Sequence, residues 1–220
     1  LNQLSNDLAH ELRIPLTNLK GEAEIALSMN YSPAEYRQLI ESSLEELDRL
    51  YEIIENLLFL AKSENTNITL QKSLIKIERE ILLLVNFYQA LADDKNINMI
   101  CEGEGEIRAN APMIRRMISN LLSNAIKYSS NNGVINIRIY NLDSKSIQII
   151  LQDTGTGIAS EHLTYIFQRF YRADSARSSN IPGIGLGLAI VKSIIDLHKG
   201  TISLTSKLNE GTKFVIILPK

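Results

Sequence analysis

A histidine followed directly by a glutamate, His10-Glu11, stands inside an apolar helical pattern near the start of the 220-residue chain. A neutral imidazole is nucleophilic at cellular pH, and an adjacent carboxylate can hold the proton of one ring nitrogen while the other attacks. Pro15 removes the helical hydrogen bond to the carbonyl of Glu11, so a kink is expected beside the histidine. The alternative is a surface histidine next to a charge, and His162 and His198 are interpreted in that way.

Two asparagines, Asn120 and Asn124, lie four residues apart in a second helical segment, with Lys127 and Tyr128 on the next turn. This spacing places both carboxamides on one helix face. Carboxamide oxygens suit Mg²⁺, which keeps several waters and takes further ligands from substrate phosphates, and a lysine adds a positive charge there. The pattern is therefore consistent with a nucleoside triphosphate and its metal. Solvated or capping asparagines are the alternative.

Two glycine-rich loops follow, and each has two interpretations when taken alone. Asp153-Thr154-Gly155-Thr156-Gly157-Ile158 comes after an apolar strand, and its carboxylate could accept a hydrogen bond from an adenine amino group or simply stabilise a tight turn. Gly183-Ile184-Gly185-Leu186-Gly187-Leu188 opens a helix, whose free amides and dipole favour a phosphate. The second loop lacks both the Gly-Lys-Ser/Thr ending of a P-loop and the spacing of a Rossmann fingerprint.

The elements that carry these residues fall into two parts. Apolar residues at three- and four-residue intervals predict a helix from Leu1 to about Ser28 and another to about Ser63, joined at Asn30-Tyr31-Ser32-Pro33, with Ser32 as N-cap. In such a hairpin the apolar stripe of each helix has only one partner helix to pack against, so a single hairpin cannot enclose a core. Dimerisation into four helices would complete it.

After the polar run Ser63 to Thr69, helices and strands alternate. Helices are expected at 77–93, 111–128 and 187–198, and strands at 98–101, 134–140, 146–152, 200–206 and 212–219. Mixed strands with helices on one face predict a two-layer α/β sandwich.

Composition excludes several classes of protein. The formal net charge is −2, too balanced for a duplex-DNA footprint. Cys101 is the single cysteine, which indicates a reduced compartment, and no apolar run approaches the length of a membrane span. The chain begins without methionine inside a helical pattern, so we expect it to be part of a longer protein.

Taken in order, the motifs resemble those of the sensor histidine kinases of two-component signalling. The aromatic segment Ile166 to Arg172 is similar to the F box, and Asn209 to Phe214 to the last glycine box. Residues 16–28 look most like the heavy-metal sensor branch. The resemblance implies a dimerisation and histidine-phosphotransfer domain at 1–66, forming a dimeric four-helix bundle. It implies a catalytic ATP-binding domain of the gyrase/Hsp90/histidine kinase/MutL ATPase type at 67–220.

The resemblance also implies a reaction and its residues. His10 attacks the γ-phosphate of ATP with help from Glu11, and the phosphoryl group then moves to an aspartate of a response regulator receiver domain. Asn120 and Asn124 hold Mg²⁺, Lys127 and Arg172 meet the phosphates, Tyr128 packs by the base, and Asp153 reads adenine with Thr212 nearby. The nucleotide-binding positions are Asn120, Asn124, Lys127, Tyr128, Asp153, Gly155, Gly157, Ile158, Phe170, Arg172, Gly183, Gly185, Leu186, Gly187, Leu188 and Thr212.

Further expectations concern partners, location and mobility. The resemblance implies a homodimer, a response regulator as partner and no nucleic acid. It implies a cytoplasmic location, with the full-length protein anchored in the bacterial inner membrane through a segment absent from this chain. Residues 171–182 are expected to form a mobile lid.

Two other functions stay open: an ATP-hydrolysing machine of the same fold, and an inactive dimeric scaffold. In the hydrolysing relatives a glutamate activates water where this chain has Asn120. The chain also differs from many members of the histidine kinase family at Ile14, where they carry Thr or Asn. This difference predicts weak phosphatase activity.

Overall fold

The computed structural model describes residues 2–64, 70–173 and 184–220, and within its first helix it describes the side chains of residue 9 and of residues 12 onward. Two compact units are present, Leu1–Lys62 and Ser63–Lys220. The first consists of two long helices, and the described part of the second consists of two sheets and three helices.

The first unit is a helical hairpin. Helix α1 spans Asn2–Ser28 and runs through Pro15 without ending there, and helix α2 spans Pro33–Ser63. The predicted N-cap at Ser32 is present as a capping box: the Glu35 carboxylate accepts the N–H of Ser32 over 2.8 Å, and the Ser32 hydroxyl accepts the N–H of Glu35 over 3.4 Å. Two complementary bonds therefore fix the start of α2.

The apolar stripes of the hairpin are covered only in part. Leu50 and Ile53 are buried, but a larger set of apolar side chains along both helices is exposed to solvent in the single chain. The exposed set comprises Ile14, Leu16, Ile25, Leu27, Met29, Ile40, Leu44, Leu47, Tyr51, Ile54 and Leu58. Those on α2 recur at three- and four-residue intervals and so share one helix face, which indicates an interaction surface on the hairpin.

In its described residues, 63–64, 70–173 and 184–220, the second unit contains seven strands and three helices. In chain order these are β1 (Ser73–Lys76), α3 (Ile77–Asp93), β2 (Asn98–Glu102), β3 (Glu106–Ala109), α4 (Ala111–Tyr128), β4 (Val134–Asn141), β5 (Ser146–Asp153), α5 (Gly187–Leu197), β6 (Thr201–Lys207) and β7 (Gly211–Pro219). A 3₁₀ turn at Ser160–His162 follows β5. The helices agree with the sequence prediction to within one residue at their ends.

Five strands form one mixed sheet in the order β2-β4-β5-β7-β6. The β2–β4 pair is parallel and the other three pairs are antiparallel. Alternate residues of the central strands, such as Ile135, Ile149 and Ile216, are fully or almost fully buried, because their side chains share the face that the helices cover. The predicted two-layer sandwich is confirmed.

A small second sheet was not predicted. β1 and β3 pair antiparallel over four residues each, with Ser73 opposite Ala109. Each strand is short, and α3 and β2 lie between β1 and β3 in the chain, so no hairpin turn in the sequence indicates that the two strands pair. Within the described part of the chain, no helix is long and apolar enough to cross a membrane.

Candidate nucleotide-binding site

Helix α4 carries the paired asparagines on the border of its buried face. The Asn110 side chain caps its start by accepting the N–H of Met113 over 3.1 Å, and Pro112 lies in the first turn. The face that packs into the unit is made of Ile114, Met117, Ile118, Leu121, Leu122, Ala125 and Ile126. Asn120 and Asn124 are half-buried beside it. The packing of α4 therefore fixes both carboxamides on one side of the helix.

The two carboxamides differ in their hydrogen bonds. Asn120 donates through Nδ2 to the carbonyl of Arg116 over 2.8 Å, which leaves Oδ1 as its available acceptor. That oxygen lies 2.8 Å from where a Cβ would stand on Gly187, so the glycine allows the start of α5 to approach Asn120. The side chain of Asn124 makes no hydrogen bond with the described residues. The structure thus presents two carboxamides whose oxygens are free to bind a ligand.

Asp153 ends β5 with its carboxylate buried and held on one side. Its Oδ1 accepts the N–H of Gly155 over 2.9 Å and the N–H of Thr212 over 3.2 Å. Burial raises the pKa of Asp153 above its usual value, and these two hydrogen bonds act in the opposite direction. Oδ2 accepts no hydrogen bond from the described residues. It is therefore available to a donor on a ligand.

The loop after Asp153 passes close to the end of α4. Thr156 donates its N–H to the carbonyl of Tyr128 over 3.0 Å, and a Cβ on Gly155 would stand 2.5 Å from that same carbonyl. Gly157 has a φ of 66°, and a Cβ there would stand 2.0 Å from the carbonyl of Lys207. These glycines are required because a side chain at either position would collide with backbone.

Ser206 connects three parts of this site and was not identified from the sequence. Its hydroxyl accepts the N–H of Ile158 over 2.8 Å, donates to the carbonyl of Gly211 over 2.8 Å and lies 2.8 Å from the hydroxyl of Thr212. Ser206 stands opposite Thr212 in the β6–β7 pair. Because this role depends on strand register, no local sequence signal could have revealed it.

Tyr128 lies at the end of α4 between two cationic residues. The Lys127 ammonium is 5.4 Å from the centre of the Tyr128 ring. Burial raises the pKa of Tyr128, whereas the charge of Arg172 acts to lower it, which places the guanidinium in the neighbourhood of the phenol. The structure therefore brings the predicted residues Lys127, Tyr128 and Arg172 to one region.

Lys95 is another residue that the sequence did not identify. Its ammonium donates to the carbonyls of Ile126 and Lys127 over 2.9 and 3.0 Å. These are terminal carbonyls of α4, which lack helical partners, and a cation there also opposes the negative end of the helix dipole. Lys95 therefore fixes the last turn of α4, from which Tyr128 extends.

The second glycine loop is described from residue 184 onward. Gly185 has a φ of 76°, Leu186 is buried, and α5 begins at Gly187, followed by Leu188. Phe170, also buried, adopts a φ of 61° near this loop. The structure brings both glycine loops toward α4, the first through Gly155 and the second through Gly187.

Three of the predicted features lie outside the described residues. These are Gly183, the side chains of His10 and Glu11, and most of the segment expected to be a lid. The backbone of α1 includes His10 and Glu11.

The donor set suits magnesium better than a metal that prefers nitrogen or sulfur. Among the residues that the structure describes, no group of three or more His, Cys, Asp or Glu side chains is placed to hold a metal ion. Asn120 Oδ1 and the Asn124 carboxamide supply neutral oxygens instead, and Mg²⁺ typically combines few protein oxygens with water and phosphate. The site therefore fits a cation that arrives with a nucleotide.

Comparisons with known proteins cover the whole chain. The family described as histidine kinase-, DNA gyrase B-, and HSP90-like ATPase matches residues 109–220, and the His Kinase A (phospho-acceptor) domain matches residues 1–66. Sensor histidine kinase CusS of Escherichia coli K12 is 41% identical over 219 residues, which are 99% of this chain and 45% of CusS. Sensor protein CzcS of Cupriavidus metallidurans is 37% identical over 219 residues, which are 100% of this chain and 46% of CzcS.

A solved structure is similar over nearly the same length. The Acinetobacter baumannii histidine kinase AdeS superposes with a TM-score of 0.78 at 26% identity, covering 96% of this chain and 97% of AdeS. By contrast, the chain spans about half the length of the curated relatives it matches.

Proposed function

This chain belongs to the histidine kinase-, DNA gyrase B- and HSP90-like ATPase family, and from that membership we propose that it phosphorylates its own His10 from ATP. The phosphoryl group then passes to an aspartate of a response regulator. The predicted relation to sensor histidine kinases of two-component signalling, including the heavy-metal sensor branch, is confirmed by the relatives. Because the chain covers about half the length of these relatives, we propose its catalytic activity and its partners.

The observation that carries this proposal is that only one oxygen of the Asp153 carboxylate is hydrogen-bonded to the described residues. Oδ1 accepts hydrogen bonds from Gly155 and Thr212, and Oδ2 accepts none from the residues that the structure describes. An adenine ring offers an exocyclic amino group as donor, and a charged acceptor strengthens that bond. Asp153 thus selects adenine, and the neighbouring Tyr128 packs against the base.

The phosphates extend toward the cationic and glycine-rich end of the site. Lys127 and Arg172 neutralise phosphate charge, and the N-terminus of α5 at Gly187 contributes free N–H groups, together with Gly185 before it. Gly183, outside the described residues, is assigned to the phosphates from the sequence motif alone. Asn120 and Asn124 would hold Mg²⁺, which when bound neutralises charge on the phosphates. In this arrangement the γ-phosphoryl group of ATP is the group available for transfer to the acceptor histidine.

His10 is the acceptor in the proposed reaction. A ring nitrogen attacks the γ-phosphorus, the bond between that phosphorus and the β,γ-bridging oxygen breaks, and ADP leaves with the electron pair. Glu11 takes the imidazole proton and orients the ring. In the second step an aspartate carboxylate of the response regulator attacks the phosphorus, and the imidazole leaves.

The remaining assignments complete the proposal. Residues 1–66 form the dimerisation and phosphotransfer domain and residues 67–220 the catalytic ATP-binding domain. The homodimer joins the exposed apolar faces of two hairpins. The kinase core works in the cytoplasm, with the full-length protein anchored in the bacterial inner membrane through a segment outside this chain.

Labelling with γ-³²P-ATP tests the proposal directly. A phosphohistidine is labile in acid and stable in base, so the labelled chain should lose its label in acid and keep it in alkali. Release of inorganic phosphate without labelling would instead support an ATP-hydrolysing machine. The absence of both nucleotide binding and labelling would leave only the inactive scaffold. We expect slow hydrolysis, because the Asn120 carboxamide is not a general base.

A further inference from the structure

His162 and Tyr171 are joined by a hydrogen bond next to the proposed nucleotide site. Nδ1 of His162 lies 2.7 Å from the Tyr171 hydroxyl, and their rings are 6.0 Å apart. His162 ends the 3₁₀ turn at Ser160–His162, and Tyr171 precedes Arg172. The bond therefore connects the segment after the first glycine loop to the backbone that carries a proposed phosphate ligand.

Both partners of this bond can donate or accept. The ring nitrogen Nδ1 and the Tyr171 hydroxyl each have both capacities, so the 2.7 Å bond forms in either tautomer of His162. On the other side of the ring, the Glu161 carboxylate is 3.8 Å from Nε2. His162 therefore holds the Tyr171 side chain in place through its hydroxyl oxygen, the outermost atom of that side chain.

The backbone of Tyr171 is constrained from two further directions. Phe170 is buried with a φ of 61°, a conformation that a phenylalanine adopts only where its surroundings enforce it. On the other side, a Cβ on Gly185 would stand 2.8 Å from the carbonyl of Tyr171, so the second glycine loop packs directly on this backbone. Tyr171 is therefore fixed at its side chain and at its carbonyl.

Arg172 follows this constrained residue and acts on the nucleotide region. Its positive charge reaches Tyr128 at the end of α4. A long, flexible side chain is useful in a site only if its backbone is held in place, because the ordering of each rotatable bond costs free energy. The His162–Tyr171 bond supplies that support.

We propose that His162 is a positioning residue, which acts through the Tyr171 hydroxyl to place Arg172 at the phosphates of the bound nucleotide. The inference rests on the proposed function, since it assigns a further residue to the same site. His162 itself does not touch the nucleotide in this arrangement.

The test uses Tyr171→Phe, which removes one hydroxyl and keeps the ring. Affinity for a non-hydrolysable ATP analogue should fall about fivefold, the effect of one lost hydrogen bond. Affinity for AMP should stay the same, because AMP lacks the outer phosphates. The melting temperature should change little. Tyr165→Phe is the matched control, since the Tyr165 ring lies 5.7 Å from that of Tyr171 but its hydroxyl makes no hydrogen bond among the described residues.

A double-mutant cycle with Arg172→Ala separates positioning from general destabilisation. In the Arg172→Ala background, Tyr171→Phe should cause no further loss of affinity, because the residue through which it acts is gone. His162→Asn should retain more affinity than His162→Ala, because the Asn carboxamide can place a hydrogen-bonding atom near the position of Nδ1.

The outcomes distinguish this inference from the proposed function. If the unmodified chain does not bind the ATP analogue, both fail. If it binds and Tyr171→Phe matches the Tyr165→Phe control, the positioning role alone is wrong. Equal losses for the ATP analogue and AMP, or additive effects with Arg172→Ala, would also overturn it by showing a purely structural contribution.

Discussion

Nε2 of His198 accepts the backbone N–H of Asn110 over 3.1 Å, although 88 residues separate the two in the chain. On the other side of the ring, Nδ1 donates to the carbonyl of Ile194 over 2.8 Å. The imidazole is buried, so the interpretation of His198 as a surface histidine is wrong, and it connects the residue after α5 to the N-cap of α4. Both bonds can form only with a neutral ring, because a protonated Nε2 cannot accept.

This relationship predicts a pH-dependent stability. Burial lowers the pKa of His198 in the folded chain, and the Lys72 charge adds to that effect, whereas the Ile194 carbonyl opposes it. The stabilisation of the fold by neutral His198 should be complete above the unfolded pKa of about 6.5. It should decline as the pH falls from there toward the lower pKa of the folded chain. His198→Gln keeps an acceptor without titrating, so its melting temperature should vary less between pH 7.5 and pH 5.5. Identical pH profiles for the two proteins would contradict the prediction.

Replacing the proposed phosphate acceptor should separate labelling from nucleotide binding. His10→Gln is expected to abolish incorporation of ³²P from γ-labelled ATP and to leave the Kd of a fluorescent ATP analogue unchanged. The reason is that residue 10 lies in the hairpin whereas the nucleotide residues lie in the second unit. Label retained in the variant would identify another residue as the acceptor.

Asp153→Asn tests the adenine contact while preserving the loop. Asn can still accept the two backbone N–H groups through Oδ1, but its amino group cannot accept from adenine. We expect a loss of about 1.5 to 3 kcal/mol, or roughly ten- to hundredfold in Kd, as for a charged hydrogen bond. Asp143→Asn is a matched control, since Oδ1 of Asp143 also accepts two backbone N–H groups, each over 2.7 Å, in an exposed turn. Equal affinities for both variants would remove Asp153 from the site.

The exposed apolar face of the hairpin predicts a dimer at micromolar concentration. Leu47 is 51% exposed in the single chain, and Leu47→Glu should shift sedimentation toward a monomer because it places a charge in the proposed interface. Gln38→Glu adds the same charge at another exposed position of α2 and should leave the dimer intact. A folded monomer in the unmodified chain would refute the prediction.

Ile14 predicts weak phosphatase activity toward the phosphorylated regulator. Its side chain is 44% exposed and can neither donate nor accept a hydrogen bond, so it cannot position a water at an aspartyl phosphate. Regulator dephosphorylation, followed in the presence of ADP, should be slow for the natural chain and faster for Ile14→Thr. Rapid decay with the natural chain would show that the isoleucine is no obstacle.

Much of this architecture could be predicted because the relevant signals are local. The apolar periodicity of α4 and its Asn110-Ala111-Pro112 start gave its bounds, and the alternation in β4 and β5 gave the central hairpin. The glycine loops and the asparagine pair were visible for the same reason, as compact motifs. The resemblance to a known family then supplied Thr212 as a neighbour of Asp153.

What could not be predicted depends on contacts between distant segments. Ser206 is an ordinary serine in a strand until the β6–β7 register places it beside Thr212. Lys95 acquires its role only because the turn after α3 reaches the end of α4. In the same way, His162 and Tyr171 form a pair only because the chain between them turns back on itself.

The strand order β2-β4-β5-β7-β6 has a consequence for the assembly of the protein during synthesis. β7 is made after β6, yet it lies between β5 and β6, so β6 cannot join the sheet until β7 has left the ribosome. β7 also brings Thr212 to Asp153. A nascent chain stalled before residue 211 would therefore lack β7, leave β6 without its partner strand and lack the Thr212 hydrogen bond to Asp153, so the adenine contact would be complete only after β7 has been translated.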